Sequence, residues 1–235
     1  MENQQFTSRA GERTRTRRRL RVLIACEESQ RTCISFRELG HIAFSADIQP
    51  AGGGHPEWHI LGDVTPLLDG QTNFVTQDGV GHLVPGWDLI ISHPPCTYLT
   101  KLSLTSLRVT GMSVEEHNRR TQLGAAFFMH CYNAPAPYIA VENPQPLKRA
   151  NLPPPSCYVQ SSWYGEKYTK KTLFWLKNLP PLMPDTEFPN PKPFVHCSRG
   201  KYRSRTFWGI ARAMASQWSE YILDDLKQQQ KTKRS

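Results

Sequence analysis

No stretch of the 235 residues approaches the ~20 consecutive apolar residues that a membrane-spanning helix needs. The arginine-rich start is followed by no apolar core segment, so no secretory leader is expected. None of the six cysteines (26, 33, 96, 131, 157 and 197) forms a C-x-x-C pair, and without a secretion signal a disulfide framework is not expected. His196-Cys197 has no partners at ligand spacing, so no metal site is expected either. There is no internal repeat. What is present is a globular composition, 38% hydrophobic and 10% aromatic, at a length that fits one domain with at most a small appendage.

Acidic residues are short against basic ones, 20 to 29, for a net charge of +9, and the excess is unevenly spread. Residues 1–21 hold seven Arg and two Glu, and residues 227–235 hold three Lys and one Arg. Residues 166–212 carry ten basic and three acidic side chains, whereas 22–165 are net acidic. Such a map fits polyanion binding, or solvated tails with no partner. Residues 1–19 are polar, basic and without period, and read as a disordered basic arm; 227–235 read as a basic tail. Residues 20–226 then form the domain, with a basic, Pro-rich insert over about 177–204.

Order begins at the branched apolar run of residues 21–25, which suits a buried strand. Residues 29–39, stopped by Gly40, read as a helix, and 42–46 as a second strand. The Gly- and Pro-rich residues 49–58 read as a loop. Residues 87–92 form a continuous apolar run, as in a strand covered on both faces. Ser113 followed by Glu116 opens a capping box for a helix through about Tyr132. Residues 138–141 are another strand, closed by Glu142-Asn143-Pro144. Strands near 157–163 and 172–177 and a helix over 209–226 complete the series. This order predicts an α/β sandwich with a mainly parallel sheet, whose ligands sit beyond the carboxyl ends of the strands.

Asp47, Asp63, Cys96 and Glu142 all lie at or just after such ends. The two prolines of His93-Pro94-Pro95-Cys96 stop the strand and fix the thiol at the mouth of the sheet, as a nucleophile or as a structural cysteine. Glu142, at the end of a buried strand, can serve as an acid if burial raises its pKa, or can cap the following turn. Asp47 is where nucleotide-type cofactor sites put their ribose acceptor, and Gly62-Asp63-Val64 can hold an amino group or be a plain turn.

This set, in order over residues 20–221, resembles the C5-cytosine DNA methyltransferase family in the compact form often seen in phage genomes. DLIISHPPCTYLT (88–100) resembles the family's Pro-Cys motif and VENP (141–144) its Glu-Asn motif. FSAD (44–47) with GDV (62–64) resembles its cofactor motifs, WYGEKYTKKTLFWL (163–176) its arginine-cluster motif, and RTFWGIARAMASQW (205–218) its terminal motif. The resemblance implies a Rossmann-like, S-adenosylmethionine-dependent methyltransferase sandwich acting on DNA in the cytoplasm, a host's cytoplasm if the chain is phage-encoded. It makes Cys96 the nucleophile and Glu142 the catalytic acid. Asp47 goes to the cofactor's ribose and Asp63 to its adenine. The first motif, glycine-rich in the family, reads Ala25-Cys26-Glu27-Glu28-Ser29 here, which leaves Glu27 and Ser29 for the cofactor's methionine end. Asn143, Lys170, Thr172, Arg203 and Arg205 are the corresponding substrate contacts; Lys170 and Thr172 stand where the family has its arginine cluster. About 28 residues separate the last two motifs, too few for the family's target-recognition domain.

Three other readings stay open. One is an amino-methyltransferase, with Pro94-Pro95 and Tyr98 as its motif. Another is a C5-methyltransferase of RNA or free pyrimidine nucleotide. The third is a non-catalytic nucleic-acid-binding protein.

Overall fold

The computed structural model describes residues 18–194 and 204–232. The elements run β1 (Arg21–Ala25), α1 (Arg31–Glu38), β2 (Ile42–Asp47), β3 (His59–Leu61), α2 (Thr65–Leu68), the hairpin β4 (Asn73–Val75) and β5 (Gly81–Leu83), then β6 (Leu89–Ser92). After these come α3 (Ser103–Thr110), α4 (Val114–Tyr132), β7 (Tyr138–Asn143), β8 (Cys157–Gln160), β9 (Tyr168–Thr169), β10 (Lys171–Lys177) and β11 (Lys192–Pro193). The chain ends in helix Trp208–Ala213, a π-turn over Met214–Trp218, and helix Ser219–Thr232.

One seven-stranded sheet has the order β3-β2-β1-β6-β7-β10-β8. β10 runs antiparallel to both neighbours, and the other strands are parallel. This is the Rossmann-like α/β sandwich expected from the sequence. The order reverses between β1 and β6, so the crevice beyond their carboxyl ends is the ligand position that such a sheet provides.

Alternation along β1 divides the core. Val22 and Ile24 join Phe36 of α1 and Met214, Trp218 and Ile222 of the C-terminal segment. Leu23 and Ala25 join Leu67, Phe74, Phe128 and Trp175 on the other face. A strand buried on both faces needs apolar side chains at every inward position, which explains the unbroken runs of β1 and β6. Half of the expected capping box forms: the Ser113 hydroxyl accepts from the Glu116 N–H at 3.1 Å, while the Glu116 carboxylate turns to Arg119 and Arg120.

Several boundaries differ from expectation. The described chain is anchored before residue 20, because Arg18 reaches Asp88 at 3.3 Å beside the Arg21–Asp88 pair at 2.7 Å. That contact lies at the amino edge of the sheet, away from the candidate site. Residues 227–232 continue helix Ser219–Thr232. Glu142 and Asn143 belong to β7, paired with Phe174 and Leu173 of β10, rather than to a turn after it. Within the insert, β11 pairs with β9. The π-turn holds the insert's start, with Gln217 exchanging two 2.8 Å hydrogen bonds with the Met183 backbone.

Candidate active site

The strand order sets the candidate residues along one edge of the sheet. Asp63 follows β3, Asp47 ends β2, Cys26 and Glu27 follow β1, His93 to Cys96 follow β6, Glu142 lies near the end of β7, and Lys170 precedes β10.

β6 and β7 bring the Cys96 and Glu142 segments together. The strands are in register with Ser92 opposite Val141. Two side-chain bonds then tie the strand ends. Asn143 Nδ2 donates to the Pro94 carbonyl at 2.9 Å, and His93 Nδ1 meets Glu142 Oε2 at 3.1 Å. Asn143 is buried, and its amide braces the Pro-Pro-Cys loop. Cys96 is partly exposed, reduced, and at the head of the turn closed by the Leu99 N–H to Cys96 carbonyl bond of 3.0 Å.

The protonation state of Glu142 departs from expectation. Burial pushes its carboxyl up, but the His93 hydrogen bond, the His93 charge and Lys170 outweigh it, and the net shift is downward. Burial alone lowers the His93 imidazole; the bond to Glu142 and the charges of Glu142 and Glu27 raise it above the ordinary histidine value. Both shifts favour the carboxylate–imidazolium form of the pair. Their side chains are only 11% and 8% exposed, so little water screens them.

Glu27 has a different task from the one expected. Its carboxylate accepts the N–H groups of Thr32 at 2.7 Å and Cys33 at 3.2 Å, capping α1. Burial raises its pKa, with His93 and the two amides acting against the shift. The usual capping position carries Gln30, whose side chain instead clamps the His55 backbone at 3.1 and 2.9 Å. Cys26 and Gln30 both have left-handed backbones, φ 60° and 57°, so the loop takes glycine-like turns without glycine. Ser29 is buried in the same loop.

The acidic pair on the cofactor side is partly committed. Asp47 Oδ1 accepts the Gln49 N–H at 2.9 Å, and the exposed Asp63 uses Oδ1 for the Thr65 N–H and hydroxyl at 2.9 and 2.8 Å. Those bonds hold the Asp63 carboxyl below its ordinary range. Each carboxylate keeps Oδ2 available. Burial pushes the Cys26 thiol well up, and the charges of Cys131, Asp47 and Asp63 add to the shift.

This donor set fits S-adenosylmethionine. A dinucleotide would bring pyrophosphate to the N-terminus of α1, where the buried Glu27 carboxylate already sits. S-adenosylmethionine carries no phosphate, and its sulfonium and ribose diol suit a site with acidic walls.

The expected substrate contacts scatter. The charge of Lys170 is felt at both His93 and Glu142, and its ammonium lies 5.8 Å from the Phe207 ring. Thr172 is buried within β10 opposite Val159. Arg205 pairs with the buried Glu28 at 3.1 Å, so its charge is spent inside the protein. Arg203 lies outside the described residues. Sequence reasoning missed His93 as a working group, although it adjoins the Pro-Pro-Cys turn. Among the described residues no cluster of three or more metal-ligating side chains occurs, and no helix is long and apolar enough to cross a membrane.

Comparison with known proteins adds little. No family model and no curated protein matches the chain. Among solved structures it is similar to an Escherichia coli protein described as a candidate DNA modification methyltransferase encoded within a prophage. The identity is 17%, the TM-score 0.44, and the match covers 72% of this chain and 52% of that one. This chain thus spans about half the length of that protein. At such similarity its activity has to be argued from its own residues.

Proposed function

We propose that this protein is an S-adenosylmethionine-dependent DNA cytosine-C5 methyltransferase, with Cys96 as nucleophile and Glu142 as the group that meets the base. The observation that carries it is the placement of a partly exposed thiol and a largely buried carboxylate on the ends of neighbouring parallel strands, cross-braced by Asn143–Pro94 and His93–Glu142. Cytosine C5 is a poor nucleophile; addition of the Cys96 thiolate at C6 would make it an enamine carbon. Glu142 would grip the N3 and amino edge and favour protonation at N3 as the adduct forms. S-adenosylmethionine, when bound, supplies an electrophilic methyl group to that carbon. A base then removes the C5 proton, and Cys96 leaves. Duplex DNA requires the cytosine to be flipped out first, at a cost of a few kcal/mol.

A basic and aromatic strip beside the site supports a nucleic-acid substrate. Lys167 lies 5.3 Å from the Tyr168 ring, and Lys171 lies 4.5 Å from that of the exposed Tyr158. Such pairs can hold phosphates and stack bases. The amino-methyltransferase reading needs Tyr98 at the site, but this ring packs on His117 at 5.8 Å and under Arg120 at 5.2 Å, toward α4.

Mass analysis of nucleosides from DNA incubated with the full chain and S-adenosylmethionine should find 5-methylcytosine. N4-methylcytosine or N6-methyladenine would mark an amino-methyltransferase, and an unmodified digest with intact DNA binding would mark a non-catalytic binder. Asp47→Ala should weaken S-adenosylmethionine binding by about tenfold or more, given roughly 1.5–3 kcal/mol for each hydrogen bond to a charged group. An unchanged dissociation constant by calorimetry would remove the ribose assignment.

A further inference from the structure

The pair at the head of the site goes beyond a brace. We propose that His93 is a positioning residue for Glu142: it fixes one carboxylate oxygen, leaves the other for the substrate base, and holds the proton that Glu142 delivers. The inference rests on the reading that Glu142 meets the base.

Three observations carry it. Nδ1 lies 3.1 Å from Oε2, and Oε1 has no hydrogen bond among the described residues, so the carboxylate is held at one end and presented at the other. An ionised carboxylate only accepts, so the hydrogen in this contact belongs to Nδ1. Nε2 is buried and without a partner among the described residues, so no competing bond turns the ring away from Glu142. Finally, the Asn143 amide on the Pro94 carbonyl at 2.9 Å locks the β6 and β7 ends, which fixes the separation of ring and carboxylate.

The ring feels Glu142 from β7, Glu27 from the β1–α1 loop, and Lys170 from the approach to β10. Two negative groups and one positive one surround it, and the balance favours the imidazolium. A carboxylate at rest has no proton to give to N3 of a docked cytosine. The imidazolium has one, 3.1 Å away. As the base docks, that proton passes from Nδ1 to Glu142 Oε2, and rotation of the now neutral carboxyl brings that oxygen to the base, where N3 takes the proton; His93 ends neutral, Glu142 ends as the carboxylate again, and the ring nitrogen ends protonated. Charge and proton count balance without another reactant. The sign of the pH dependence follows. Methyl transfer should be supported while His93 is charged and should fall as pH rises through its raised pKa.

The test uses the full chain labelled with 15N-histidine and titrated by NMR. The His93 signals, identified by their loss in His93→Asn, should show a proton on Nδ1 and a midpoint above the ordinary value of about 6.5. Glu142→Gln should lower that midpoint. A midpoint at or below the ordinary value, or one that ignores Glu142→Gln, would overturn the proposal. Should His93→Asn not fold, the signal that moves in Glu142→Gln identifies the ring; if none moves, the proposal fails. In parallel, the alkaline limb of the wild-type methylation profile should coincide with the NMR midpoint and be absent from His93→Asn, which keeps a donor amide but cannot titrate. A His93→Asn profile with the wild-type limb would also overturn it. The NMR arm needs no turnover, so a coupled pair in a protein that methylates nothing would refute the enzymatic reading and not the pairing.

Discussion

Replacing Cys96 with serine is expected to lower methyl transfer to DNA by at least about a thousandfold while the fold and S-adenosylmethionine affinity persist. A serine hydroxyl is almost wholly protonated near neutral pH and adds poorly to C6, whereas sulfur remains nucleophilic even when only a few per cent is thiolate. Cys96 is partly exposed and outside the two large core clusters, so the exchange should cost on the order of 1 kcal/mol of stability or less. The decisive measurement traps the adduct. DNA carrying 5-fluorocytosine cannot lose fluorine as a proton once the methyl has moved, so the protein should stay bound through Cys96. The complex should survive a denaturing gel, require S-adenosylmethionine, and be missing in Cys96→Ser. Wild-type turnover in Cys96→Ser would refute the covalent mechanism.

The strands that carry these residues were legible because burial on both faces leaves a mark in composition. β1 and β6 are unbroken apolar runs, and α4 is announced by Ser113 and Glu116. β3 left no such mark. It is three residues long and begins with His59, whose buried ring bonds Ser45 at 2.8 Å and the Gln49 carbonyl at 2.9 Å, both tertiary contacts. The hairpin of β4 and β5 escaped for a related reason, since Val75 and Leu83 point outward and give no amphipathic period.

Within the site, residue types were readable and their assignments were not. The sequence leaves Glu142 as an acid if burial raises its pKa or as a cap of the following turn, because it shows a carboxylate at a strand end and cannot show that β6 sets His93 against it. Glu27 sits where the family-like motif meets the cofactor, yet its position five residues before Thr32 lets it reach back over the first turn of α1. Cys26 and Gln30 adopt φ values that composition assigns to glycine, a cost of order 1 kcal/mol each that surrounding contacts must offset. A largely buried loop can thus hold left-handed turns without glycine.

Gly209→Ala is expected to be the most destabilising single-methyl addition in the domain. Gly209 opens helix Trp208–Ala213, where the helix passes directly against the backbone of Tyr164. A Cβ there would lie 2.0 Å from the Tyr164 carbonyl oxygen and 2.9 Å from its carbon. Because these are backbone atoms, no rotamer change relieves the overlap, and the helix must withdraw from the sheet. Withdrawal would stretch the Gly209 N–H to Glu166 bond of 3.2 Å, the Arg31 bond to the Thr206 carbonyl of 2.8 Å, and the Arg205–Glu28 pair at 3.1 Å. It would also open the packing of Ile210, Met214 and Trp218 on α1 and the sheet. Overpacking of a closed contact typically costs about 1–3 kcal/mol, and the loss of three tertiary bonds puts this case at or above the upper end. Urea denaturation should show a lower midpoint with an unchanged slope, and melting should fall by roughly 2–4 °C per kcal/mol. Gly81→Ala is the control, because a Cβ at Gly81 meets nothing within 4 Å and should change stability by no more than about 0.5 kcal/mol. Equal midpoints for the two variants would mean that the helix does not approach Tyr164 this closely. Cofactor affinity of the surviving folded Gly209→Ala protein gives a second reading. Arg205 and Arg31 connect this helix to Glu28 and α1, so a shifted helix should also loosen the β1–α1 loop and weaken S-adenosylmethionine binding.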